Sequence, residues 1–292
     1  MNEFLPSSMV EKVRRLALGL EPIDAGRETR MAHPIRVAFD EEMAGLPRPP
    51  VARHDSCLHA LLYHPGLADR VRLRFFEDVR AFVPRVNRAR AAWGADRDLA
   101  MRIRGVARRI VPRRISFPIL TVAAAEAGSH RLRVRRPFLF PGAGYDVAAG
   151  MTGLRGRVER GGATVRWARV VATLPESDTV VGRAHGDDRG EFLLLISSAA
   201  GAIGDLTDPL PLRITVSGPA VAPVPASDEV PRRDPLWDLP EEPAQALDPG
   251  NPGTDMVSSG ESLPPGYTAH VTRDLALELG SIAGATDPFV LP

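Results

Sequence analysis

The sequence predicts a mainly β protein, and three observations carry that expectation. Apolar and charged residues alternate with period two in several stretches before residue 140; short strand-like runs separated by Gly-rich turns follow from residue 152; and the last quarter is acidic and Pro-rich. With 292 residues, 44% hydrophobic and 25% charged, the chain is long enough for about two cores and reads as an ordinary globular protein. No stretch approaches the ~20 apolar residues of a transmembrane helix, and the opening MNEFLPSSMVEKVRR lacks signal-peptide order, so a cytoplasmic location is expected. The net charge of +1 conceals a strong polarity: residues 1–140 carry net +11, residues 141–216 net −1, and residues 217–292 net −9 with 13 of the 28 prolines.

Residues 1–50 are expected to form an arm with one amphipathic helix over Ser8–Gly19. Ser8 is its N-cap, Glu11 the capping-box partner, and Met9, Val13, Leu16 and Leu20 stand at helical spacing. Residues 51–140 then read as a basic β-rich domain. In VRLRFF, Val71, Leu73 and Phe75 share a face opposite Arg72 and Arg74; in HRLRVRR, Leu132 and Val134 oppose Arg131, Arg133 and Arg135. RRISFPIL supplies Ile115, Phe117 and Ile119 for a third strand, with Pro118 placing it at an edge or bulge. Between these, a helical insert over 86–109 is expected, starting at Asp96 and Asp98, with Leu99, Ile103 and Val106 as a stripe opposite Arg97, Arg104 and Arg108.

Residues 141–218 are expected to form an antiparallel β-sandwich. Its strands are TGLRGRVER, ATVRWARVVATLP, TVVGRAHGDDRGEFLLLIS and PLRITVSGP, with Val158, Trp167, Val170, Phe192, Leu194 and Ile214 inside. PGAGYDVAAG, which lacks the lysine and helix of a phosphate loop, reads as the connection into it. Here a resemblance appears. Gly156-Arg157-Val158, the turn Gly161-Gly162 with Val165, the pair Ala168 and Val170, and then Asp188-Arg189-Gly190-Glu191-Phe192 make residues 152–217 similar to the carboxypeptidase regulatory-like, transthyretin-like family. That resemblance implies a Greek-key sandwich without an active site, commonly an accessory or assembly module.

Residues 219–292 read as an extended acidic tail. Pro-rich chain loses little entropy when laid along a surface, and Trp237, Tyr267 and Phe289 stand out as anchors for pockets. One short helix is expected from Thr272 to Gly280, carrying Leu275, Leu277 and Leu279.

Candidate chemistry is sparse. RHDSCLHALLYH gathers His54, Asp55, Ser56, Cys57, His59 and His64, but neither strand nor helix geometry brings the potential zinc ligands onto one face, so burial of Cys57 among Leu58, Leu61 and Leu62 is expected instead. The sole cysteine excludes an internal disulfide, and the same cluster lacks the elbow and orienting acid of a nucleophilic site. GDDRGEF has too few oxygen ligands for a calcium loop and reads as a β-turn. No catalytic residue, metal or cofactor is therefore assigned. The most informative feature is the arginine excess, net +13 over residues 70–136, with Arg70, Arg72 and Arg74 on one strand and Arg131, Arg133 and Arg135 on another. Nucleic acid or another polyanion could dock there, but aromatic interleaving and familiar binding motifs are missing. The acidic tail, of the same or a neighbouring subunit, is the better match. The sequence thus points to a non-enzymatic assembly subunit of a large particle of the phage-tail-like or contractile injection type. Its partners would be other subunits, copies of itself included, and no membrane; a polyanion-binding protein is the alternative.

Overall fold

The computed structural model describes residues 16–39, 51–53, 57–62, 98–120, 127–197, 208–224, 234–244, 257–258 and 260–292. The protein is mainly β, arranged as several sheets. Its first half contributes β1 (Leu16–Leu20), β2 (Ile23–Asp24), β3 (Thr29–Arg30), β4 (Ile35–Phe39), β5 (Val51–Arg53), β6 (His59–Leu62), β7 (Asp98–Gly105), β8 (Arg113–Pro118) and β9 (Val134–Leu139), the last preceded by a 3-10 turn, His130–Arg133. One sheet has the order β3-β2-β9-β1-β6-β5, and β4, β7 and β8 pair as neighbours in a second. Leu18, Leu61, Met101, Ile103, Ile115, Phe117 and Leu139 fill the core shared by these sheets.

Two helices expected in this half are not formed where the structure can be read. Residues 98–105, assigned to the helical insert, are β7: Leu99, Met101 and Ile103 are buried and Arg102 and Arg104 lie outside them, a period of two that pairing with β4 and β8 on both sides enforces. Val106, placed on the helical stripe, is exposed in the turn after the strand. Residues 86–97 lie outside the described residues. Likewise Leu16–Gly19 belong to β1, which pairs antiparallel with β6 and parallel with β9, whereas Ser8–Arg15 lie outside them.

The sandwich-like region contains β10 (Gly153–Arg160), β11 (Ala163–Thr164), β12 (Arg169–Thr173), β13 (Val180–His185), β14 (Glu191–Leu195) and β15 (Leu210–Gly218). Val158, Val170, Phe192, Leu194 and Ile214 are buried together in its core. Close packing needs Gly156, where a Cβ would stand 2.4 Å from the Phe192 ring. Trp167 is also buried but belongs elsewhere. The run from Ala163 to Thr173 breaks at residues 165–168, Trp167 takes φ +61°, and its indole packs against Val111 and Leu239 instead of the sandwich interior.

The C-terminal quarter adds strands to every one of these sheets. In it, β16 (Glu241–Pro243) runs parallel to β8, β17 (Val257–Ser258) parallel to β9, β18 (Ala269–Leu277) antiparallel to β15, and β19 (Ile282–Gly284) and β20 (Phe289–Val290) parallel to β10. The helix expected from Thr272 is therefore strand β18 up to Leu277; Leu275 and Leu277, two apart, face inward as a strand requires. Phe289 is fully buried, edge-on to Phe192 with ring centroids 5.7 Å apart, and Leu291 covers Gly218, where a Cβ would meet it at 2.5 Å. The terminal strap is thus part of the sandwich core.

Candidate interaction site: an ion cluster beneath the strap

Three charged side chains from distant parts of the sequence meet in the interior. Arg113 opens β8, Arg169 opens β12, and Glu242 is the middle residue of β16. On β16 the strand period turns Glu242 inward and leaves Glu241 outside, where it meets Arg114 at 3.0 Å. Arg113 donates from Nε and Nη2 to the two oxygens of Glu242 at 3.2 and 2.9 Å, a bidentate pair, and Arg169 Nη2 approaches Oε1 at 3.0 Å. All three residues are at most 4% exposed.

Other donors are used too, although Arg169 Nε is buried without a hydrogen-bond partner among the described residues. Arg113 Nη1 donates to the Phe138 carbonyl at 2.5 Å, while Arg169 Nη1 and the Tyr267 hydroxyl both donate to the Trp167 carbonyl, at 2.6 and 3.1 Å. The guanidinium of Arg169 lies 5.6 Å from the Tyr267 ring centroid, and that of Arg113 5.6 Å from the Phe140 ring. Phe140 in turn stacks on His185 at 3.8 Å. Gly260, with φ +74°, closes the cluster: a Cβ there would meet Phe140 and His185 at 3.0 to 3.1 Å.

This arrangement fixes the charge states. Burial by itself raises the Glu242 carboxyl, but Arg113 and Arg169 outweigh it and hold the group below the usual carboxylate range. His185 is pushed well below the usual imidazole range, by burial first and then by Arg169 and Arg113, so its ring is neutral. Burial pushes the Tyr267 hydroxyl up to about 12. The cluster therefore holds two guanidiniums on one shared carboxylate beside a neutral ring, an arrangement suited to holding elements together.

Further acids of the tail meet further arginines around it. Asp238 accepts from Trp167 Nε1 at 2.7 Å and from Arg166 Nε at 3.0 Å, and Asp234 pairs with Arg102. A second latch joins the β7–β8 turn to the sandwich: Arg108, at φ +56° beside Ala107 at +55°, pairs with Asp188 and lies 3.0 Å from Asp187. Asp187 also accepts from the backbone amides of Arg189 and Glu191, so GDDRGEF is a capped turn. Between latch and strap lies a cleft of about 170 Å³ lined by Arg104, Arg108, Trp167, Asp188 and Leu236.

The described residues among those singled out in the sequence are not brought together. Arg70, Arg72 and Arg74 lie outside the described residues. The 3-10 turn that ends at Arg133 shifts the phase of the following strand, so the expected outward face of Arg131, Arg133 and Arg135 does not form. Arg131 is exposed, Arg133 is half-buried and donates to the Leu16 carbonyl at 3.1 Å, and Arg135 is buried, donating to the Leu132 carbonyl at 3.2 Å. Of the tail anchors, Tyr267 borders the ion cluster, Phe289 sits in the sandwich core, and Trp237 is half-buried in the turn before β16. Cys57 is buried near the Ala32 and His33 carbonyls, and His59 bonds the Cys57 carbonyl through Nδ1; His54 and His64 lie outside the described residues. Among the described residues no group of three or more His, Cys, Asp or Glu is placed to hold a metal, and no helix is long and apolar enough to cross a membrane. Sequence reasoning missed Arg113, Arg169 and Glu242. The available signal was the pair of doublets Arg113-Arg114 and Glu241-Glu242, of opposite sign in strand-like text. Comparison with protein-family models and with curated proteins finds no match to this chain.

Proposed function

We propose that this chain is a non-enzymatic structural subunit of a multi-protein particle, of the phage-tail-like or contractile injection type, with a sandwich module of the carboxypeptidase regulatory-like kind braced by its own C-terminal strap. The observation that supports this reading best is the Arg113–Glu242–Arg169 cluster, which joins strap, basic sheet and sandwich in one buried junction. A subunit that transmits load gains from such a junction, since separating any one element exposes or strands charges held by the other two. The strap's strand additions point the same way: main-chain pairing gives affinity with little demand on side-chain identity, the mode by which extended segments join sheets in assemblies.

The polyanion-binding alternative draws less support from the described arginines. Arg102, Arg113, Arg114, Arg166 and Arg169 are engaged by carboxylates of the chain's own tail, which competes with any external anion for them. The discriminating experiment is recovery of the tagged full-length chain from the cells that produce it, followed by velocity sedimentation and identification of the co-migrating chains. Stable co-migration with several other proteins in a fast-sedimenting species is expected. A discrete small species, or one whose only companion is nuclease-sensitive nucleic acid, overturns the assembly reading.

A further inference from the structure

We propose that the outer edge of β18 is a self-association surface, on which a second copy of the chain pairs its own β18 antiparallel across a two-fold axis through Thr272. The inference rests on the assembly reading only in naming one partner; its physical basis is the edge itself. β18 pairs with β15 in unbroken register from Leu210↔Leu277 to Gly218↔Ala269, and among the described residues no strand pairs with its other side. The other terminal strands of the sheets are shorter or covered. β3 has two residues and β5 three, β4 has five, and β13 packs against β14, with the Ser197 amide donating to the Val181 carbonyl. Proteins blunt a long edge with proline, a bulge, lysine or a cover, because its row of unpaired amides and carbonyls is a template for another strand. Over Ala269–Leu277 none of the first three devices is present. The inward charge, Arg273, is tied to the chain's own strap: it donates to the Asp287 and Pro288 carbonyls at 3.2 and 3.0 Å and lies 4.4 Å from the Phe289 ring centroid.

The occupant follows from self-complementarity. With Thr272 opposite Thr272, residues 269–275 of the two copies pair so that His270 stands opposite Asp274 twice on the exposed face, and Val271 opposite Arg273 twice on the other. Threonine pairs and pairs of hydrogen-bonding or opposite charge are favourable cross-strand neighbours. His270, Thr272 and Asp274 are all exposed. Asp274 accepts from Arg213 Nε at 3.2 Å and Thr272 meets the Thr215 hydroxyl at 3.3 Å on the β15 side, contacts at the surface whose sharing requires no rearrangement of the core. The product would be a continuous sheet running through both copies.

The test is register-specific cross-linking of the purified full chain. Cys57 is buried, so a cysteine introduced at the edge is the reactive one. Thr272→Cys places two thiols directly opposite, within the span a disulfide bridges, whereas Ala276→Cys places them several residues out of register. Under mild oxidation Thr272→Cys is expected to give a covalent dimer and Ala276→Cys a monomer, with the wild-type chain showing a concentration-dependent dimer by sedimentation. His270→Asp, which opposes like charges twice, should raise the dimer Kd about tenfold with the β-type spectrum unchanged. A wild-type chain that stays monomeric, equal cross-linking at both positions, or unaltered dimerisation of His270→Asp overturns the proposal. A monomer that still enters a large particle in cells would sink this inference and leave the assembly reading standing; a dimer with no larger species would do the reverse.

Discussion

The sandwich and the basic sheets bury their interiors by different means. In the sandwich, the inward positions of β10, β12, β14 and β15 are apolar almost throughout, from Leu154 to Val216, and the arginines of those strands lie outside that core, Arg169 at the start of β12 turning into the ion cluster instead. In the basic half, strands β8 and β9 carry Arg113 and Arg135 at inward positions, and the side chains stay there because carbonyls and, for Arg113, a carboxylate from 129 residues later satisfy them. The apolar core takes Phe289 and Leu291 from the strap as further apolar filling, a contribution of area rather than of charge. A core holding a guanidinium depends on whichever segment brings the counter-charge, so here the fold of the first half is tied to the tail.

Removing that counter-charge should give the largest effect. Glu242→Ala leaves two guanidiniums buried without their carboxylate and is expected to cost about 3–5 kcal/mol, read as a fall in the denaturant midpoint. Replacing Arg113, Arg169 and Glu242 together by Met or Leu should recover most of the loss. If the triple replacement is as damaging as Glu242→Ala, the contrast between a charged and an apolar junction is wrong.

A medium effect should come with acid. His185 is held neutral when folded, so below about pH 6.5 the unfolded chain takes up a proton that the folded chain refuses, and stability falls as pH falls. Glu242, whose folded pKa is depressed, stabilises above the ordinary carboxylate value of 4.5 and loses that contribution as pH drops through its folded pKa. Two successive declines are expected in unfolding free energy against pH, and His185→Leu should flatten the first while sparing the second. The smallest effect concerns the turn that carries the Arg108 latch. Ala107 and Arg108 both sit at positive φ, where Ala is strained, so Ala107→Gly should stabilise by up to about 1 kcal/mol. A loss of stability in that variant would show that the turn geometry is not under strain.

The same contrast explains what could be read in advance. The sandwich strands and the buried Val158, Val170, Phe192, Leu194 and Ile214 were legible because period-two apolar patterning coincides there with burial. The basic half misled for a physical reason. In β7 and just after it, Leu99, Ile103 and Val106 also stand at helical spacing, which competes with the alternation of Leu99, Met101 and Ile103 with Arg102 and Arg104. In β8 and β9 inward arginines invert the pattern that separates faces, so Arg135 reads as a surface residue, while the partner that licenses the burial of Arg113 lies in the tail, beyond any local window. β18 was misread for a simpler cause: Leu275, Leu277 and Leu279 between an Asp and a Gly satisfy helix-boundary rules, yet the waiting edge of β15 decides the outcome.

The central claim is that the strap is a structural member of the fold and not an appendage laid upon it. It is tested most directly by equilibrium unfolding of a chain ending at Gly280, which lacks β19, β20 and the buried Phe289 and Leu291. The result expected is a marked fall in the denaturant midpoint or loss of a cooperative β-type transition, since an aromatic and a leucine leave the sandwich core and β10 becomes an open edge. A truncated chain that unfolds with the wild-type midpoint and slope would contradict it.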